Sequence, residues 1–240
     1  MSGSGLKVNL EKTELSIFHR YDTGKATITV KNIVVKSSPV LKVLGLLFDS
    51  RMQWDEQVEK ATSETRRSLQ GLRVLKRHFT GTEMLKLITS MCYSKLYYGS
   101  QVWLLPTLKE SLFKKLYSQS GQCLRLLNPD VSYANLHADY QRATPKIFSH
   151  YQTAVSYYEV VNEQVYLHER DIVESNTLSD RRNDYLTFVR SNSYRVGLNL
   201  LSNRLRAVSG LVPKDSISYS KIMFKTYCKI KIIQHSLLDQ

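Results

Sequence analysis

Three cysteines, five prolines and ten glycines are few for 240 residues, and each shortage excludes a class of protein. Cys92, Cys123 and Cys228 lie too far apart in sequence for a CxxC metal knuckle or a disulfide framework, so they read as reduced, buried thiols. So little proline and glycine argues against a low-complexity or disordered chain. Acidic residues are also short: 21 Asp and Glu face 34 Lys and Arg, a net charge of +13. Apolar runs are brief, and none approaches the ~20 residues needed to span a bilayer. Met1-Ser2-Gly3-Ser4-Gly5 lacks the basic and apolar regions of a signal peptide, which points to an intracellular protein. With no strand before it, Gly3-Ser4-Gly5 reads as neither a phosphate loop nor a nucleophile elbow. The six histidines are scattered, and His168-Glu169 lacks the second His one turn on that makes a helical zinc pair. Two Asp never occur in succession, so the sequence offers no obvious carboxylate set for two-metal chemistry on nucleic acid.

What is abundant is apolar and basic. A hydrophobic fraction of 42%, with 10% aromatics including 15 Tyr, supplies enough buried surface for a globular chain. The charge is uneven. Residues 1–80 carry 14 basic and 8 acidic side chains, 81–128 carry 6 and 2, 129–180 carry 3 and 8, and 181–240 carry 11 and 3. Two basic ends therefore flank an acidic middle, a distribution suited to a polyanion such as nucleic acid or an anionic membrane surface. A uniform charge kept for solubility is the plain alternative.

Hydrophobic spacing predicts strands at Glu14 to His19, Ala26 to Val35 and Leu41 to Asp49, joined by turns at 21–24 and 36–39. Together they would make one small antiparallel sheet, marginal unless it packs on helices or on a missing partner. From Asp55 the spacing turns helical. Val58, Ala61, Thr65, Leu69, Leu72 and Leu75 form one stripe of a helix ending near Phe79, while Arg66, Arg67, Arg73, Lys76 and Arg77 crowd its second half. Capping boxes at Thr80–Glu83 and Thr107–Glu110 start two further helices, one running to Gly99 and one to the Asn128-Pro129 break. Further helices are expected over Tyr133 to Tyr140, Pro145 to Ile172, Leu198 to Ser209 and Ser218 to Leu237, with a polar linker over 174–183. The last should be amphipathic, with Lys221, Lys225 and Lys229 opposite Ile222, Tyr227, Ile230 and Ile233. Trp54, Trp103 and Tyr98 sit on apolar stripes or at helix ends, which favours core packing over stacking on bases.

Three segments in order resemble one family. Gly5-Leu6-Lys7-Val8-Asn9-Leu10-Glu11-Lys12-Thr13-Glu14 resembles the Gly-Leu-x-x-Asn-x-x-Lys-Thr-Glu segment of the palm of non-LTR (LINE-type) retrotransposon reverse transcriptases. Leu44-Gly45-Leu46-Leu47-Phe48-Asp49, followed by Met52-Gln53-Trp54 and a helix, is similar to the family's Leu-Gly primer grip and the start of its thumb. Tyr98-Gly99-Ser100-Gln101-Val102-Trp103 resembles the Tyr-Gly-x-x-x-Trp signature closing a thumb helix. Arg181-Arg182-Asn183-Asp184-Tyr185, Val196-Gly197-Leu198-Asn199 and Ser202-Asn203-Arg204-Leu205 look like the post-thumb region of some members. Two positions depart from the pattern: Val43 stands where an aromatic is common, and Gln57 where a His is common. The fingers, the first palm Asp and the double-Asp turn would all lie before residue 1, so this chain should not act as an enzyme on its own.

The resemblance implies that Lys12 lies on the nucleotide-phosphate side of an intact parent enzyme and that Lys42, Leu44 and Gly45 belong to the grip. It further implies that Arg66, Arg67, Arg73, Lys76 and Arg77 follow a nucleic-acid backbone. Separately, the four-residue spacing of Lys221, Lys225 and Lys229 makes a possible second basic face, open to nucleic acid, a membrane surface or only water. A solvated basic helix face is the bland reading of each cluster. No cofactor is expected, Mg²⁺ serving only an intact parent polymerase. The expected fold is α+β and predominantly helical: a small N-terminal antiparallel β element in 1–54, a thumb-like three-helix bundle in 55–128 and a helical region in 129–240. The expected function is sequence-independent binding of primer–template or other structured nucleic acid. One alternative is a helical protein-interaction module or a retroelement remnant without function. Another is a part of an intact RNA-directed DNA polymerase.

Overall fold

The computed structural model describes residues 12–18, 26–30, 32–162 and 219–238. Those residues are α+β and predominantly helical, with paired antiparallel strands preceding the helices. The chain divides into two compact units, residues 1–60 and 61–240.

In the first unit the strands form two separate hairpins rather than one sheet. β1 (Thr27–Val30) pairs with β2 (Ile33–Lys36), and β3 (Val40–Val43) with β4 (Leu46–Asp49). The predicted strand from Ala26 to Val35 breaks because Asn32 takes a left-handed φ of 66°, which its short polar side chain tolerates. The predicted strand from Leu41 to Asp49 breaks at Leu44 and Gly45, whose φ values of 47° and 84° belong to the tight turn whose twist suits a hairpin. Around Leu15 there is a single parallel bridge to Ser37 rather than the predicted strand; the Leu15 carbonyl accepts the Ser38 N–H at 2.8 Å. Ile28, Ile33 and Val34 of the first hairpin stay exposed, and Val35 is its buried residue.

After β4 the chain makes a strained turn. Met52 and Trp54 have φ values of 55° and 69°, unfavourable for residues carrying a Cβ. The Asp49 carboxylate offsets this by accepting three backbone N–H groups, from Arg51 at 3.1 Å, Gln53 at 3.0 Å and Trp54 at 2.6 Å. The indole of Trp54, 3% exposed, lies edge-on to Phe48 at 5.3 Å. Its carbonyl accepts the Val58 N–H and so opens α1 (Asp55–Leu75). Buried Gln57, at the position where the resemblance leads one to expect His, accepts the Leu47 N–H at 2.9 Å, and Lys60 donates to the Gly45 carbonyl.

The second unit is helical. Ala61, Thr65, Leu69 and Leu72 of α1 are buried as their spacing predicts, but Leu75 is 42% exposed. The helix tightens there into a 3₁₀ turn (Lys76–His78), and the changed rotation per residue takes the stripe off the core. At Thr80 the predicted capping box forms: Glu83 N–H donates to the Thr80 hydroxyl, and Thr80 N–H donates to the Glu83 carboxylate at 2.9 Å. Those bonds hold the Glu83 carboxyl below the usual carboxylate range.

α2 (Gly81–Leu87) widens into a π-helical stretch (Ile88–Tyr93) before α3 (Ser94–Leu96). Hydroxyls compensate the altered ladder: Thr89 donates to the Leu85 carbonyl at 2.8 Å, and Thr65 of α1 reaches the Cys92 carbonyl at 3.4 Å. The helix stops at Gly99, whose φ of 59° suits a residue without Cβ, and α4 (Ser100–Trp103) follows.

The second predicted capping box is absent. α5 (Glu110–Leu124) starts after Lys109 with no side-chain cap, because residues 105–108 form a turn closed by Leu108 N–H to the Leu105 carbonyl, with Leu108 buried. α6 (Tyr133–Asp139) is capped by Ser132, and α7 (Pro145–Asn162) begins at the proline predicted to open it. α8 (Lys221–Leu238) packs on α7 through Tyr158 and Phe224, whose rings lie 4.5 Å apart, and Tyr158 donates to the Tyr219 carbonyl at 2.6 Å. The expected helix over 198–209, the linker over 174–183 and the extension of α7 to Ile172 lie outside the described residues.

Candidate nucleic-acid interface

The periodicity that buries the stripe of α1 turns its Arg66, Arg67 and Arg73 outward, and the 3₁₀ turn after it adds Lys76 and Arg77. Arg66, Arg67, Arg73, Lys76 and Arg77 are all exposed, while Thr65, Leu69 and Leu72 are buried. Arg66 and Arg73, seven residues apart, point the same way about 10 Å apart along the axis. Among the described residues none of the five is paired with a carboxylate. The helix carries Asp55 and Glu56 in its first turn and Arg73 in its last, so part of this pattern also complements the helix dipole. Apolar side chains share this end of the helix: Val74 is 70% exposed and Phe79 40%.

The Leu44-Gly45 turn projects from its hairpin with Leu44 87% exposed, and Lys42 and Val43 beside it are exposed too. Lys12 is exposed, while residues 5–11 of the segment that contains it lie outside the described residues.

The Tyr-Gly-x-x-x-Trp segment is a local closure. Gly99 supplies the left-handed residue, and the fully buried Trp103 returns its indole N–H to the Tyr98 carbonyl at 2.8 Å. Burial of Trp54 and Trp103 agrees with the core reading of both, but the Tyr98 side chain is 54% exposed, against expectation, because the turn at Gly99 throws it outward.

The stripe on α8 needs correcting. Lys221 and Lys225 are half-buried, and Lys221 pairs with Glu159 of α7 at 3.4 Å. Ile222 and Ile230, expected to face the core, are 79% and 51% exposed, while Phe224 and Cys228 are buried. Packing on α7 has selected the Phe224 and Cys228 face, so the three lysines do not form one solvated basic surface. Lys229 is exposed and lies at the mouth of a pocket.

That pocket, about 490 Å³, opens between the π-helical stretch, the loop after α6, α7 and α8. Arg142 stands in it, donating to the Thr89 hydroxyl at 2.8 Å with its guanidinium 5.7 Å from the Tyr93 ring. Its backbone is fixed from behind: Arg142 N–H donates to the His137 carbonyl at 2.8 Å, and the His137 ring meets the Arg142 carbonyl at 3.0 Å. A carbonyl only accepts, so His137 carries its proton on Nδ1, and burial keeps this imidazole below its ordinary pKa. Gln141, at φ 49°, makes the turn that brings Arg142 in. No local pattern signals this cluster, since Thr89 and Arg142 stand 53 residues apart.

The three cysteines are buried free thiols, as read from their spacing. Contact with the Cys92 sulfur, then burial, pushes the Cys123 thiol up, and burial pushes Cys228 up to about 12. Among the described residues no three His, Cys, Asp or Glu side chains converge as a metal site, and no helix is long and apolar enough to cross a membrane. Comparison with models of known protein families, with curated proteins and with solved structures finds no match.

Proposed function

We propose that the chain is the thumb-side part of a non-LTR retrotransposon reverse transcriptase and that it holds primer–template, or other structured nucleic acid, by the backbone. The observation that carries this reading is the joint exposure of Arg66, Arg67 and Arg73 on α1 and of Lys76 and Arg77 on the 3₁₀ turn that continues it, without carboxylate partners among the described residues. Cations so placed neutralise phosphates and release condensed counterions, which gives affinity without sequence preference. The exposed tip at Leu44 is a tight, projecting turn of the kind that can bear on a primer end, and it supports the grip assignment of Lys42, Leu44 and Gly45. Lys12 takes its role only beside the rest of a palm.

The test replaces Arg67, Arg73 and Lys76 together by Gln and measures binding to a duplex with a recessed end from low to physiological salt. Affinity should fall uniformly across sequences, and the salt slope should shrink by roughly one unit per lost phosphate contact. A matched triple change at Lys86, Lys114 and Lys115, exposed on α2 and α5, serves as control. Unaltered affinity and slope in the α1 variant end the thumb assignment; equal losses in both variants end the claim that α1 is the site.

A second reading has its own support. Val74, Leu75 and Phe79 expose apolar surface among the cations, which suits a helical protein-interaction module. Binding that is insensitive to salt favours it over the first.

A further inference from the structure

We propose that the pocket between the π-helical stretch and α7 binds a nucleoside phosphate, its base against the aromatic wall and its phosphate on Arg142 and Lys229. The inference stands apart from the α1 interface, sharing no residue with it. Four observations carry it. The pocket has room, since about 490 Å³ falls within the roughly 300–1,000 Å³ typical of small-ligand sites. Its walls are aromatic: the Tyr97 and Phe148 rings lie 4.9 Å apart, and Phe148 and Tyr151 are near-parallel at 19°. Flat rings in a half-open cleft offer faces to any base.

Its charge is one-signed and held in place. The Arg142 guanidinium spends one donor on Thr89, and among the described residues no carboxylate pairs with it or with Lys229. A planar fork anchored at one nitrogen and open at the others suits a phosphate's paired oxygens. Finally, two uncommon backbone states meet here, the π-helical stretch carrying Thr89 and Tyr93 and the left-handed Gln141 before Arg142. Such conformations cost stability and persist where surrounding structure, and often function, requires them. The shared chemistry admits two sources, a free nucleotide or an unpaired nucleotide of a strand.

Titration calorimetry with AMP and with inorganic phosphate, and fluorescence anisotropy with a fluorescein-labelled oligo-dT, would test this on the full chain. AMP or oligo-dT should bind saturably, and Lys229→Gln and Arg142→Gln should each weaken that binding by about tenfold or more. Tyr151→Leu should weaken it comparably while leaving phosphate binding unchanged. Lys229 is exposed and its variant should fold normally, so the outcome does not depend on Arg142→Gln keeping its fold. Dependence of AMP on the pocket identifies a free nucleotide; dependence of oligo-dT alone identifies a nucleotide within a strand. Phosphate binding as tightly as AMP, or neither ligand responding to Lys229→Gln and Tyr151→Leu, overturns the proposal. The Arg67, Arg73 and Lys76 variant should leave AMP binding unchanged, which separates failure here from failure of the thumb reading.

Discussion

Single side chains hold two turns that contain left-handed residues, one after β4 and one at Gln141. Asp49 holds a turn that contains two left-handed residues, and it does so with both carboxylate oxygens. Asp49→Asn keeps one acceptor and replaces the other with a donor facing a backbone N–H. Unfolding in urea should show a loss of about 1.5–3 kcal/mol, the scale of hydrogen bonds to a charged group; a loss under half that would mean the turn holds itself. His137 is expected to make the second unit sensitive to acid. Burial, only partly opposed by its bond to the Arg142 carbonyl, depresses its pKa from 6.5. The unfolded chain therefore binds the proton first as pH falls, so stability is full above about 6.5 and declines from there down through the folded value. Between about pH 7.5 and about pH 5 the parent should lose more stability than His137→Asn, whose side chain does not titrate there. Equal losses would assign the acid sensitivity elsewhere.

At the scale of elements, close approach matters as much as apolar patterning. α5 meets α6 at Gly121, where an added Cβ would stand 2.5 Å from the Tyr133 ring. That ring is itself confined, with Arg125 stacked 4.3 Å above it and Tyr117 edge-on at 6.0 Å. Gly121→Ala gains up to about 1 kcal/mol of helix propensity but forces a rigid ring to move, at about 1–3 kcal/mol. A net loss of thermal stability is expected. Leu116→Ala, one turn earlier in the core, should cost about 2–5 kcal/mol by leaving a cavity. If Gly121→Ala raises the melting temperature, the α5–α6 approach is looser than described.

At the scale of the molecule, charge and chemistry part company. The basic excess is what the proposed backbone contact with nucleic acid would use, whereas the sequence has no two successive Asp of the kind a polymerase palm carries. On the proposed thumb-side reading, purified chain is expected to extend no primer in Mg²⁺ or Mn²⁺. Template-dependent incorporation that disappears when a carboxylate of this chain is mutated would refute that expectation and move the polymerase assignment into this chain.

Much of the local pattern of the central helices was legible in the sequence. The buried stripe of α1, the opposed arginines, the capping box at Thr80, Pro145 at the start of α7 and the three buried thiols follow from local spacing and chemistry that hold in any packing. Tertiary structure decided the rest. Leu75 left its stripe because the helix tightened, and Thr107 failed to cap because Leu108 was drawn into the core. Ile222 and Ile230 turned outward because Phe224, a larger ring, met Tyr158. The Arg142 pocket depends on distant segments meeting, and two predicted strands became hairpins through left-handed residues at Asn32, Leu44 and Gly45. In each case hydrophobic period states which residues prefer burial, whereas the partner surface and the backbone φ decide which of them obtain it.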